Sequence, residues 1–155
     1  GGSTETGSGI KYNLCSTKTS EFSEMTADTI KAQFDAGCAG TSIVTGISNV
    51  SKCYEGYYGS STNYGPLGMK FGTSGANGTF TIATSAAVNK AVVKVTGWTA
   101  TDTFSIGGAD AQTPGVKYTE ADAEKTLTFE FSSTSSIDIT CAKRGFMSEI
   151  TLYTA

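Results

Sequence analysis

The side chains best suited to chemistry here are aromatic rings set among small polar residues. Between Cys53 and Tyr64 the sequence CYEGYYGSSTNY places Tyr54, Tyr57, Tyr58 and Tyr64 among Gly, Ser, Thr and Asn. Sugars are bound by stacking their C–H faces on aromatic rings while amides and hydroxyls take up their hydroxyl groups. Tyrosine supplies rigid contact area for this at low entropic cost. Asn63 and Glu55 are the polar partners within reach of such a platform. Trp98, the single tryptophan, follows a β-branched run and a glycine in VTGWTATDT, which places its ring on a loop, and Asp102 nearby can orient ligand hydroxyls. Arg144 is the single arginine, in AKRGF, and its planar fork can hold a carboxylate or a pair of sugar hydroxyls bidentately. Each of these residues also has a structural reading. Some tyrosines would plug the end of a sandwich, Trp98 would cap the core at a strand end, and a lone loop arginine would be solvated.

Catalysis finds little to work with. The chain has no histidine, which removes Ser-His-Asp and Cys-His arrangements and His-ligated zinc, copper or iron. Fourteen acidic residues are present, but no spacing marks two of them as the paired carboxylates of a glycosidase. The acidic run Glu120–Glu124 (EADAE) lacks EF-hand spacing, so a structural calcium has no motif behind it and the run reads as a solvated loop. No catalytic residue, metal ligand or cofactor is therefore nominated. Two N-x-S/T matches, at Asn49 and Asn77, are expected by chance in so Ser/Thr-rich a chain.

Charge and composition narrow the partners. With 11 basic and 14 acidic residues, a net charge of −3 and a pI near 4.9, the chain has no dense basic patch for nucleic acid or a membrane surface. No stretch approaches the ~20 apolar residues of a membrane span. The acidic balance disfavours anionic polymers and points to a neutral polysaccharide bound with little salt dependence. Twenty-five Thr, 18 Ser and 19 Gly suit the strands and turns of a secreted or cell-surface β module. The expected state is a monomer. Cys15, Cys38, Cys53 and Cys141 contain no C-x-x-C. In an oxidising compartment they are expected to form at least one disulfide, first Cys38–Cys53 across a short loop, with Cys15–Cys141 as its complement.

These residues need a scaffold, and the patterning supplies one. Gly1–Gly9 reads as a linker or expression remnant, leaving 10–155 as a single domain. One helix is expected over Thr26–Gly37, with Thr26 as N-cap, Asp28 in the first turn, Ile30 and Phe34 on one face and Gly37 at the C′ position. Elsewhere apolar residues alternate with period two. Strands are expected at Ile10–Cys15, around Ile43 and Ile47, at Leu67–Phe71 and at Phe80–Ile82. Further strands are expected at Lys90–Val95, Phe104–Ile106, Val116–Tyr118, Leu127–Phe131, Ile137–Cys141 and Ile150–Leu152. Gly107-Gly108 marks a hairpin, and Ser132–Ser136 is expected to turn the chain. About ten short strands with one helix make an all-β antiparallel sandwich of jelly-roll type.

Over the last ~90 residues, GPLGMKFGTSGANGTFTI, KAVVKVTGW, TLTFEFSST and SIDITCAKRGFMSEITLY follow one another in the order used by bacterial secreted or cell-surface jelly-roll modules. The chain resembles the galactose-binding-like and carbohydrate-binding-module sandwiches appended to secreted glycosidases and adhesins. The resemblance implies an accessory, non-catalytic role. Residues 15–64 carry no such likeness. The competing expectation is a structural or adhesive surface domain that binds protein or spaces its neighbours.

Overall fold

A computed structural model describes residues 9–15, 23–57 and 67–155, with the backbone alone at 56 and 57. Eight antiparallel strands and one helix follow in the order β1 (Gly9–Asn13), α1 (Ala27–Gly37), β2 (Val44–Ser51), β3 (Cys53–Tyr57), β4 (Gly68–Phe71), β5 (Gly78–Gly97), β6 (Thr103–Ile106), β7 (Lys125–Ala142) and β8 (Gly145–Thr154). The described residues form the expected all-β sandwich, with one helix among them. Among the described residues no helix is long and apolar enough to cross a membrane.

The strands are fewer and longer than the alternation suggested. The expected strands at Phe80–Ile82 and Lys90–Val95 are one 20-residue strand, β5, and those at Leu127–Phe131 and Ile137–Cys141 are one 18-residue strand, β7. Where a break was expected, at Ser132–Ser136, the ladder instead bulges: Thr84–Ala87 of β5 stand opposite Ser135 alone, between the pairs Ala83↔Ser136 and Val88↔Thr134. Bulges bend strands and let them pass from one packed layer to the other. One layer is therefore β2–β5–β7–β6, using residues 79–84 of β5, and the other runs β7–β5–β8 with β1 and β4 side by side along β8 and β3 outside β4. Val116–Tyr118 is not a strand; Lys117 makes only a parallel bridge with Gly97.

The core fills the space between the layers with Phe71, Phe80, Phe104, Phe129, Ile82, Ile137, Ile139, Ile150 and Leu152, all essentially inaccessible. Each contributes ~1.5–3 kcal/mol of burial. Leu127 and Phe131, which alternation places on the same face as Phe129, pack at the margin of the core. The helix covers the side of the core beside β1 and β2. Its Phe34 meets Tyr12 at 5.1 Å and Phe80 at 6.0 Å between ring centroids. Thr26 caps it in a reciprocal box with Thr29. Gly37 is not a left-handed C′ residue: it is the last helical residue, and a Cβ there would fall on the carbonyl oxygen of Asn13 in β1.

The expected disulfides are absent: Cys15, Cys38, Cys53 and Cys141 are free thiols. Cys38 is bridged to Tyr12, which is level with Ile150 of β8, whereas Cys53 pairs with Phe71, which is level with Gly145. Five residues along a strand is ~16 Å, far beyond the ~7 Å that a disulfide can span. Cys141 pairs with Gly78 and Phe104 in one layer, while Cys15 lies beyond β8 at the edge of the other, its Sγ 3.9 Å from the carbonyl oxygen of Ser148. Burial pushes the Cys15 thiol up to about 11 and the Cys53 thiol up to about 12, and raises Cys141 further still.

Candidate functional site

The outer face of the β8 layer carries a row of side chains set by strand register. Tyr54 of β3 pairs with Lys70 of β4, Lys70 with Phe146 of β8, and Phe146 with Thr96 of β5. Their inward-facing neighbours Met69, Met147 and Val95 are in the main core. An outward row would ordinarily be solvated, yet Phe146 is inaccessible, Lys70 is 8% exposed and Thr96 4%. Trp98 and Tyr118 fold over the row and, with Leu67 and Phe146, form a second apolar cluster outside the main core.

Backbone bonds hold this cover in place. The Gly97 N–H donates to the Val116 oxygen (3.2 Å), Tyr118 N–H to the Gly97 oxygen (2.8 Å) and Trp98 N–H to the Arg144 oxygen (3.4 Å). Gly97 is obligatory in this crossing, because a Cβ would fall on the carbonyl oxygen of Thr99. The rings meet at centroid distances of 5.3 Å (Trp98–Tyr118), 6.0 Å (Trp98–Phe146, near-parallel at 23°) and 5.2 Å (Tyr118–Phe146). Two cations sit over them. The Arg144 guanidinium carbon is 4.3 Å from the Trp98 ring centre, and Lys70 Nζ is 4.4 Å from that of Tyr54 and 5.7 Å from that of Trp98. Both are attracted by the ring quadrupoles. Lys70 Nζ donates to the Gly72 oxygen at 2.7 Å. Burial, with the positive charge of Arg144 nearby, lowers its pKa.

Asp102 ties the Trp98 and Arg144 loops together. Its Oδ2 accepts from Thr99 N–H (2.7 Å) and the Thr99 hydroxyl (3.1 Å), and its Oδ1 from the N–H groups of Lys143 (3.2 Å) and Arg144 (3.4 Å). Beside it lies an open depression of about 320 Å3, lined by Ser74, Thr99, Thr101, Asp102 and the Ala142–Arg144 segment. The surface thus offers partly accessible aromatic rings, three hydroxyl-bearing residues and the cations Lys143 and Arg144, while the Asp102 carboxylate is engaged by backbone amides.

Of the residues singled out in the sequence, Tyr54, Trp98, Asp102 and Arg144 are brought together on this face. Glu55 is not: it lines a separate groove of about 300 Å3 beside the helix, with Ser23, Met25 and Gln33. Tyr58, Asn63 and Tyr64 lie outside the described residues, as does the Tyr57 side chain, whose backbone pairs with Gly68. Tyr118, Phe146 and Lys70 are members that sequence reasoning missed. Lys70 and Phe146 were legible in part, since alternation with Met69 and Phe71 turns Lys70 outward and Phe146 is two residues from Arg144. No protein-family model, curated protein or solved structure matches the chain.

Proposed function

We propose that the domain is a non-catalytic polysaccharide-binding module of a secreted or cell-surface protein, acting as a monomer. The observation that carries this reading is the convergence of Tyr54, Trp98 and Tyr118, all partly accessible, on one sheet face next to a hydroxyl-lined depression. Aromatic surface beside fixed hydrogen-bonding groups is the chemistry that sugars require. Asp102, the carboxylate of this cluster, serves the backbone, which favours binding over acid–base work.

Stacking one ring on a sugar with a few hydrogen bonds gives micromolar to millimolar affinity, about −4 to −8 kcal/mol. Affinity gel electrophoresis of the domain through plant and microbial polysaccharides tests the reading, with Trp98→Ala and Tyr54→Ala alongside. The wild type should be retarded by at least one polymer and both variants released, with their circular dichroism unchanged. The stacking of Trp98 on Phe146 also favours a second reading, in which the ring seals the sheet of a spacer or adhesive domain. Absence of retardation on every polymer, or unfolding of both variants, selects that second reading.

A further inference from the structure

We propose that the depression between the Thr99–Asp102 and Ala142–Arg144 turns is a subsite for the carboxylate of an acidic sugar, with Arg144 as its principal ligand. The inference rests on the polysaccharide-binding reading and specifies the sugar it would select. Net charge argues for a neutral polymer, but charges more than about 10 Å away are largely screened, so the local distribution decides.

Locally the balance is positive. Lys143 and Arg144 line the depression, and the carboxylate among its lining residues, Asp102, accepts four hydrogen bonds from backbone amides and the Thr99 hydroxyl. Among the described residues the Arg144 guanidinium makes no ion pair, whereas Lys11, Lys31 and Lys94 each pair with an acid elsewhere. The guanidinium is not loose, however. It lies 4.3 Å over Trp98, and its backbone is fixed at both ends, its N–H by Asp102 and its carbonyl by the Trp98 N–H. A cation held in place without an anion is preorganised for one, and a guanidinium fork matches a planar carboxylate in two parallel hydrogen bonds. Exposed Lys143 adds a second positive contact, and the hydroxyl-bearing residues Ser74, Thr99 and Thr101 line the same depression.

The test compares polygalacturonate, its fully methyl-esterified form, a neutral galactan and a sulfated galactan in affinity gels. Wild type, Arg144→Gln and Arg144→Lys are run at about 50 and about 500 mM salt, a range over which surface electrostatics are strongly screened. Wild type should be retarded most by polygalacturonate, and high salt should weaken that retardation. Loss of a charge-assisted pair should lower affinity for polygalacturonate about tenfold in Arg144→Gln and erase its preference over the ester. Arg144→Lys, which keeps the charge and loses the fork, should fall between. Titration with free galacturonate should move the Trp98 indole N–H resonance in wild type and not in Arg144→Gln. Equal retardation by charged and esterified polymer, or an unchanged preference in Arg144→Gln, overturns the subsite. A preference for the sulfated polymer over polygalacturonate overturns it in favour of a sulfate site. Retardation by neutral polymers alone sinks the subsite and leaves the module standing, while retardation by none sinks both.

Discussion

Asp102 shows how a polar residue suited to a ligand can be spent on the scaffold. In the sequence it is an acid near a loop tryptophan, a natural partner for sugar hydroxyls. In the structure its two oxygens join the turn after Trp98 to the turn before Phe146, and so hold Arg144 over the indole. Asp102→Asn replaces one acceptor oxygen with a donor that faces backbone N–H groups. We expect a loss of ~1.5–3 kcal/mol in urea denaturation, together with a shift in Trp98 fluorescence as Arg144 loosens. Residue types made Trp98, Asp102 and Arg144 legible as candidates. Their relation was not, because it depends on which strand ends the fold sets side by side. Phe146 was harder still: an apolar residue on an outward position looks like core until the cover of Trp98 and Tyr118 is seen.

At the scale of elements, the helix was the most legible feature. Thr26, Ile30 and Phe34 do what a cap and an apolar stripe should, and only the role of Gly37 differs. Because that glycine provides clearance against Asn13 and not a left-handed turn, Gly37→Ala should push the helix off β1. The expected cost is the ~1–3 kcal/mol typical of overpacking, read as a lower thermal midpoint with an unchanged far-ultraviolet spectrum. The strands were legible in their faces but not in their number. Period-two alternation fixes which side of Phe80, Ile82, Phe129 or Ile139 meets the core. It cannot distinguish a turn from a bulge in a run of Ser, Thr and Ala. Thr84–Ala87 and Ser132–Ser136 are such runs, and tertiary pairing carries both strands through them.

For the molecule as a whole, four free thiols change the expected response to pH and oxidation. Buried thiols favour the neutral form, so their contribution to stability is complete below the unfolded pKa of 9.0. It is lost as pH rises from there towards about 11 for Cys15 and about 12 for Cys53. The urea midpoint should therefore fall above pH 9, and less steeply in a Cys53→Ala/Cys141→Ala variant. At pH 8 a chromogenic disulfide should label Cys53 and Cys141 only after denaturant is added, because neutral, buried sulfur is a poor nucleophile. Prompt labelling of all four in the native protein would contradict the burial described. The passage of β5 and β7 through both layers has a further consequence. Neither layer can melt without tearing the other's central ladder, so the domain should possess one cooperative unit where a sandwich of separate sheets could have two. Amide hydrogens of Phe80–Ile82 and Val92–Val95 would then exchange at a common, globally limited rate, and a protease would meet no half-open intermediate to cut.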